Sequence, residues 1–204
     1  MKNYDFTKVK GNLEKLGYAV TVFDDKQAAA DYLNAQIDGK TVGFGGSVTV
    51  REMGLFPLLS AHNTVYWHDE KPQSMSVAET RAAGTRAEIY ISSVNGISEN
   101  GEIVNIDNTG NRVAAVTYGP EKVYLLIGGN KLAPDLEKAI DRARNIAAPK
   151  NAQRLHRKTP CAVKGDRCYD CDSPDRICRN LSVFWKKPTG AAYEILLINE
   201  SLGY

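Results

Sequence analysis

The sequence predicts an α/β fold: a parallel-centred sheet flanked by helices, with an antiparallel insertion. Short apolar runs alternate with helical patterns along most of the chain, which is typical of parallel strands joined by crossover helices. Three of these runs end abruptly in Gly, Ser or Asn, at residues 41–47 (TVGFGGS), 89–96 (IYISSVNG) and 123–131 (VYLLIGGNK). Each is predicted to be a buried strand followed by its exit loop.

The first half of the chain supplies most of the alternating elements. Asp5 is predicted to cap a first helix that ends near Leu16, with Gly17 as its stop. The next predicted elements, in order, are a strand at 18–23, a helix from Asp24 or Asp25 to about residue 37, a strand at 41–44, a short helix capped by Ser47 or Thr49 and closed by Gly54, a strand at 63–67, a helix at 76–86 and a strand at 89–93.

The pattern changes after residue 96. Turn signals at Asn100-Gly101 and Thr109-Gly110 divide residues 97–116 into short alternating runs, which predicts antiparallel hairpin structure. The remaining predicted elements are a central strand at 123–127, a long helix with Pro134 in its first turn that ends near residue 147, and two strands at 181–185 and 192–198 joined across 187–190.

Length and composition predict one globular domain with an appendage. The chain has 204 residues, of which 43% are hydrophobic and 25% charged, as in ordinary soluble domains. We divide it into an α/β core at 1–148, a cysteine-rich module at 149–180, and C-terminal strands at 181–204 that pack back on the core. The net charge of +2 is too small to indicate a nucleic-acid partner, and the basic run at 150–158 reads as a solvated helix end.

Other features bound the location and assembly of the protein. No segment approaches the roughly 20 apolar residues that span a bilayer, and the polar N-terminus lacks the apolar core of a signal peptide. We therefore expect no membrane partner and a cytoplasmic location. A homodimer is the default expectation for its assembly.

The strand ends predict a small-molecule pocket, because ligands of open parallel sheets bind outside the carboxyl ends of the strands. Glycines let the backbone approach a ligand, and Ser, Asn, Arg and Lys side chains bind carboxylates or phosphates. The candidate substrate-binding residues are Gly43, Gly45, Gly46, Ser47, Arg51, Asn95, Gly128, Gly129, Asn130 and Lys131. The expected ligand is a small anionic metabolite: a carboxylate, a phosphate or a CoA ester. The alternative is that the glycines only form tight turns.

Candidate catalytic residues are few. Ser92, Ser93, Asn95 and Glu99 follow the third strand. Asn95 can orient a carbonyl, and Glu99 is the carboxylate nearby that can act as a base or nucleophile, although a Glu in a polar turn is more often solvated. The three histidines, His62, His68 and His156, are predicted to be structural or exposed. Whether the protein is an enzyme stays open.

The four cysteines carry the strongest chemical signal. Cys161, Cys168, Cys171 and Cys178 have the spacing C-x6-C-x2-C-x6-C. A C-x2-C pair with two further cysteines can bind zinc, and four thiolates also suit an iron–sulfur cluster. The alternatives are four reduced cysteines in a packed loop, or a redox-switchable pair.

Three blocks resemble the LUD-domain family, named for lactate utilisation: residues 93–132 (SVNGISENGEIVNIDNTGNRVAAVTYGPEKVYLLIGGNKL), 43–55 (GFGGSVTVREMGL) and 159–178 (TPCAVKGDRCYDCDSPDRIC). The likeness is to short, single-domain members with a C-terminal four-cysteine motif. It implies a fold similar to the sugar-phosphate isomerase and CoA-transferase group, in which a glycine-rich loop binds an anionic group. By position, Gly43, Gly45, Gly46 and Ser47 match that loop.

The resemblance implies a component of lactate or related 2-hydroxyacid utilisation that works with other lactate-utilisation proteins. Two alternatives stand beside it. One is a stand-alone sugar-phosphate isomerase or CoA-ester transferase, which needs a base such as Glu99. The other is a non-enzymatic protein, stapled by metal at the cysteines or sensing redox state through them.

Overall fold

The computed structural model describes residues 3–204. Its strands, in chain order, are β1 (Ala19–Phe23), β2 (Thr41–Phe44), β3 (Thr64–Tyr66), β4 (Ile89–Ser93), β5 (Gly96–Ser98), β6 (Ile103–Asp107), β7 (Lys122–Gly128), β8 (Leu132–Ala133), β9 (Asn180–Phe184) and β10 (Ala192–Ile198). Its α-helices are α1 (Thr7–Lys15), α2 (Lys26–Gln36), α3 (Val48–Glu52), α4 (Leu55–Ser60), α5 (Val77–Thr85), α6 (Asn111–Thr117), α7 (Leu136–Arg142), α8 (Ala148–Arg154) and α9 (Pro160–Lys164).

The main sheet has six strands in the order β1-β10-β7-β4-β2-β3, and every pairing is parallel. This confirms the predicted fold class. Because the strands are parallel, all six carboxyl ends lie at one edge of the sheet. Apolar side chains from both faces of the sheet form two separate cores under the flanking helices. The loops at the carboxyl edge therefore follow strands that are packed on both faces.

The second sheet has four strands in the order β8-β5-β6-β9. Strands β5 and β6 form an antiparallel hairpin across Gly101, whose φ of +98° favours glycine. This hairpin is the predicted antiparallel insertion. Helix α7 covers this sheet, and Ala139 and Ala143 pack on Val104.

Side-chain caps place several helix starts where the sequence predicts them. Asp25 accepts a hydrogen bond from the Ala28 amide at 2.8 Å and begins α2. Ser76 and Glu79 form a reciprocal capping box at the start of α5. Such caps satisfy backbone donors that have no partner within the helix.

The prediction of hairpin structure up to residue 116 was wrong for its last part. Residues Asn111–Thr117 form α6 instead of a strand. The Asp107 carboxylate accepts hydrogen bonds from the amides of Gly110 (3.1 Å) and Val113 (3.2 Å). These bonds turn the chain into a helix at the point where the sequence pattern indicates another turn.

The long helix also differs from its prediction. It begins at Leu136, where Asp135 caps it, so Pro134 precedes it. It continues through a π-helical segment, Ala143–Ala147, into α8, so it passes the expected end near residue 147. Helix α4 was not predicted, because its short apolar run lacks a side-chain cap.

The two C-terminal strands lie in different sheets. Strand β9 is the edge of the second sheet beside β6, whereas β10 lies between β1 and β7 in the main sheet. The last 24 residues therefore complete the core of the main sheet as well as packing on it. Among the helices within residues 3–204, none has the length and apolar character needed to cross a bilayer.

Candidate functional site

A cavity of about 220 Å³ opens at the carboxyl edge of the main sheet. The loops after β2, β3, β4 and β7 form its floor and one side. Helices α5, α6 and α8, the end of β6 with its following loop, Ile177 and the segment after β10 form the rest. This is the position at which open parallel sheets bind ligands.

Lys131 lies at the bottom of this cavity and is only 3% exposed. Its Nζ donates hydrogen bonds to Ser93 Oγ at 2.6 Å and to Thr49 Oγ1 at 3.0 Å. No carboxylate within residues 3–204 lies within ion-pair distance of it. A buried lysine without a carboxylate partner is rare, because burying an uncompensated charge is costly.

The hydroxyl groups of Ser93 and Thr49, which accept from Lys131, each donate their own proton to a backbone carbonyl. Ser93 Oγ donates to the Leu126 carbonyl at 2.5 Å, and Thr49 Oγ1 donates to the Leu202 carbonyl at 3.4 Å. Both hydroxyl oxygens must therefore accept from Lys131. One position on Nζ remains without a protein partner within residues 3–204. It carries the third N–H when the lysine is charged and the lone pair when the lysine is neutral.

Burial lowers the pKa of Lys131 to about 7, and the charges of Arg142 and Arg112 act in the same direction. Both causes disfavour the ammonium form. Near neutral pH the side chain therefore exchanges between ammonium and amine, and a bound anion would favour the ammonium form.

Arg112 holds the wall of the cavity together. Its guanidinium donates to Asn95 Oδ1 at 3.0 Å, to the Ser93 carbonyl at 3.3 Å and to the Ile106 carbonyl, and lies 3.6 Å from Asp107. Asn95 Oδ1 also accepts from the Ile106 amide at 2.8 Å. These bonds occupy Asn95 Oδ1, so only the side-chain amide nitrogen of Asn95 remains available to a ligand.

The cavity side chains carry more positive than negative charge. Lysine and arginine contribute five cations, and aspartate contributes two carboxylates. The cations are Lys131, Arg81, Arg112, Arg154 and Arg157. Both carboxylates are close to arginines: Asp69 lies 2.9 Å from Arg51, and Asp107 is beside Arg112. The Nε of Arg81 is buried and has no hydrogen-bond partner within residues 3–204.

Four of the ten sequence-predicted binding residues line the cavity: Gly46, Ser47, Asn95 and Lys131. Ser47 is also the N-cap of α3, because its hydroxyl accepts from the Val50 amide at 3.3 Å. Helix α3 has only five residues, so it offers the cavity little helix dipole. Whether these residues bind substrate stays a prediction.

The remaining glycines of the two loops pack against protein and do not line the cavity. A Cβ on Gly43 would collide with the Gly84 carbonyl of α5, and one on Gly45 would lie 2.7 Å from Ser92 Oγ. A Cβ on Gly128 would lie 2.8 Å from the Leu202 amide nitrogen, and one on Gly129 would collide with the ring of Tyr4. These contacts give the glycines a packing role.

Three polar candidates also lie away from the cavity. Asn130 Oδ1 accepts from the Leu202 amide at 3.0 Å and so fixes the segment after β10. Arg51 pairs with Asp69 and lies 4.9 Å from the centre of the Trp67 ring. Glu99 forms an ion pair with Lys8 at 2.7 Å, on a separate surface depression. This placement separates Glu99 from the Lys131 cavity.

Sequence reasoning missed several cavity residues. His68 was predicted to be structural or exposed, but it lines the cavity, and burial lowers its pKa so that its neutral form dominates near neutral pH. Arg154 and Arg157 were assigned to a solvated helix end; both are exposed, and both also line the cavity. Arg81 lies within helix α5, and nothing in the sequence of that helix indicates a binding residue. His68 and Arg81 both lie between the end of β3 and the end of α5. Only the folded structure brings them to the cavity.

The four cysteines are among the residues that line a second, small space of about 10 Å³, the cysteine cavity. Its lining includes Cys161, Cys168, Cys171 and Cys178. All four are free thiols and partly buried. The Asp170 amide donates to Cys168 Sγ at 3.3 Å, and the Arg144 guanidinium lies 4.0 Å from the same sulfur.

Within residues 3–204, no three His, Cys, Asp or Glu side chains stand in an arrangement that would hold one metal ion. The metal-ligand role of the cysteines therefore stays a prediction.

The LUD-domain family model matches residues 6–197, nearly the whole chain. The structure is an α/β protein with a cavity at the carboxyl edge of a parallel sheet. The family match shows that the chain belongs to the LUD-domain family. No curated protein matches the sequence significantly.

Among solved structures, a DUF162 family protein from Deinococcus radiodurans is similar over 94% of both chains, with 9% identity and a TM-score of 0.53. At that identity the likeness shows the fold alone. The eIF2B beta subunit from Chaetomium thermophilum is 16% identical and covers 64% of this chain and 43% of its own, with a TM-score of 0.32. That score is too low to support a comparison.

Proposed function

We propose that this protein binds a small anionic metabolite in the Lys131 cavity as a component of lactate or related 2-hydroxyacid utilisation. Family membership supports the metabolic setting. The observation that carries the binding proposal is Lys131 itself: a buried amine with two fixed acceptors, one open position and no carboxylate partner within residues 3–204.

The charge of the cavity favours an anion. Its two carboxylates are compensated by arginines, while Arg81, Arg154 and Arg157 form no ion pair within residues 3–204. A carboxylate at the open position of Lys131 Nζ would accept the charge-assisted hydrogen bond for which the protein supplies no partner.

The size of the cavity favours a small acid. A volume of about 220 Å³ is below the roughly 300–1,000 Å³ of pockets that enclose drug-sized ligands. A three-carbon 2-hydroxy or 2-oxo acid fits within it. A complete CoA ester would have to leave most of its length outside.

Thermal unfolding with added L-lactate, pyruvate or inorganic phosphate tests the proposal. A ligand that binds only the folded protein raises the melting temperature with concentration. We expect such a rise for the wild type and its loss in Lys131→Met. Lys150→Met is the matched control, because Lys150 is exposed on α8 outside the cavity. A melting temperature unmoved by all three ligands, or moved equally in Lys131→Met, would count against the proposal.

The alternative isomerase function has one observation in its favour. The amine form of Lys131 directs a lone pair to its open position, so it can take up a substrate proton. Lys131 is better placed than Glu99 for this task, because Glu99 lies elsewhere on the surface. The test is exchange of substrate carbon-bound hydrogen with deuterated water. Exchange that is lost in Lys131→Met and retained in Glu99→Gln would favour this alternative.

A further inference from the structure

We propose that the Lys131 cavity has a second anion-binding position, formed by Arg154 and Arg157. The ligand class is a 2-hydroxy or 2-oxo acid that carries a second anionic group, either a phosphate ester or another carboxylate. This inference rests on the proposed function, because it leaves the first carboxylate of the ligand at Lys131.

The two arginines lie where the cavity meets solvent. Both side chains line the cavity, and both residues are exposed. Lys131 lines the same cavity but is buried. The cavity therefore carries positive charge at two depths, one at its bottom and one at its opening.

Arg154 acts on a different side of the cavity from Lys131. Burial lowers the pKa of His68, and the charge of Arg154 acts in the same direction. Burial and two other arginines lower the pKa of Lys131, and Arg154 is not one of them. Arg154 therefore belongs to the His68 side, and an anion bound at Lys131 would not be its counter-charge.

Neither Arg154 nor Arg157 has an acidic partner. Within residues 3–204, no carboxylate lies within ion-pair distance of either guanidinium. Arg154 Nε and Nη2 both donate to Asn151 Oδ1, at 3.1 and 2.9 Å. This neutral oxygen holds the guanidinium in place without compensating its charge, so the charge is available to a ligand.

The end of α8 turns the chain at Arg157. His156 has a φ of +51°, in the left-handed region that favours glycine. Its amide donates to the Gln153 carbonyl at 2.9 Å, and the Arg157 amide donates to the Ala152 carbonyl at 3.0 Å. These two bonds form a Schellman cap. The cap fixes the backbone from which the Arg157 side chain reaches the cavity.

The chemistry of the arginines indicates what the second group is. A guanidinium binds a carboxylate or a phosphate through two parallel hydrogen bonds, so both groups suit this position. A substituent on the third carbon of a 2-hydroxy acid points away from its carboxylate. Such a substituent would extend toward the opening of the cavity while the carboxylate stays at Lys131.

Calorimetric titration of racemic lactate, glycerate, malate and 3-phosphoglycerate at one ionic strength tests the second position. We expect malate, 3-phosphoglycerate or both to bind about tenfold or more tightly than lactate and glycerate. A preference for only one of them would identify the second group as carboxylate or phosphate. Binding of lactate with no preference for either dianion would overturn the second position and leave the proposed function standing. No binding of any of the four acids would overturn both.

Arg154→Met tests the assignment to these residues. It should lower the affinity for the preferred dianion about tenfold more than the affinity for lactate. Lys150→Met is the matched control, because it removes a positive charge from an exposed position of the same helix outside the cavity, and it should keep the preference. A preference retained in both Arg154→Met and Arg157→Met would overturn the assignment.

The salt dependence of wild-type binding provides a test that needs no variant. The arginines are exposed, so salt should screen their attraction for the second anionic group. The preference for the dianion over lactate should therefore fall as the salt concentration rises. A preference that is independent of salt would contradict binding of the second group by exposed arginines.

Discussion

Lys131 Nζ lies 2.6 Å from Ser93 Oγ, although the two residues leave different strands. Ser93 ends β4 and Lys131 follows β7, and these strands pair in parallel with Ser93 opposite Leu126. Ser93 Oγ also donates to the Leu126 carbonyl. The register of two central strands thus fixes the acceptor of the buried lysine and leaves one position on Nζ for a ligand.

Replacing Ser93 should destabilise the protein. Ser93→Ala removes one of the two acceptors of Lys131 Nζ and leaves the Leu126 carbonyl without its side-chain donor, which costs about 1–3 kcal/mol when such groups are buried. Ser92→Ala is the control, because Ser92 is equally buried but donates only to the Ser93 carbonyl at 3.3 Å. Urea unfolding measures both. Equal losses in the two variants would contradict a special role for the Lys131–Ser93 contact.

Lys131 should make stability depend on pH. Its folded-state pKa of about 7 lies below the ordinary value of 10.5, so between these values the unfolded state binds more protons and stability rises with pH. Relative to Lys131→Met, the wild type should gain about 1.4 kcal/mol per pH unit over that interval. Urea unfolding of both proteins at several pH values measures the difference. A difference independent of pH would show that Lys131 keeps an ordinary pKa.

Arg81 should contribute to anion binding. It lines the cavity and forms no ion pair within residues 3–204, so its charge is available to a bound carboxylate or phosphate. We expect Arg81→Met to weaken binding about tenfold or more, equivalent to about 1.4 kcal/mol. Arg86→Met, at an exposed position after α5, should leave affinity unchanged. Calorimetric titration of phosphate or pyruvate measures both, and equal affinities would exclude Arg81 from the site.

Gly43 should be required for packing rather than for binding. A Cβ there would collide with the Gly84 carbonyl, so Gly43→Ala should cost about 1–3 kcal/mol of stability. In contrast, a Cβ on Gly11 of α1 meets nothing within 4 Å, and Gly11→Ala should stabilise by about 0.5–1 kcal/mol. Thermal unfolding compares the two. A neutral Gly43→Ala would show that α5 can move away from β2.

The sequence allowed the main sheet to be predicted because its signals are local. Apolar runs that end in Gly, Ser or Asn locate β2, β4 and β7, and parallel strands must present these ends at one edge. Lys131 and Asn95 were found in this way. The cap at Asp25, one of the two predicted candidates, was visible for the same reason.

Most of the errors arise from tertiary contacts that leave no local signal. Helix α6 is a local exception: it replaces the last part of the predicted hairpin structure because the Asp107 carboxylate accepts hydrogen bonds from the amides of Gly110 and Val113. Gly43 and Gly129 resemble ligand-loop glycines in sequence, but helix α5 and Tyr4 occupy the space beside them. Arg154 enters the site because the π-helical segment carries the long helix on past residue 147.

The most direct test of the account is calorimetric titration of L-lactate and pyruvate at about pH 8, in two buffers of different ionisation enthalpy. At that pH Lys131 is largely neutral, and a bound anion restores its charge. We predict saturable binding with net uptake of a proton by the wild type, and loss of that uptake in Lys131→Met. Binding without proton uptake, or no binding of either acid, would contradict it.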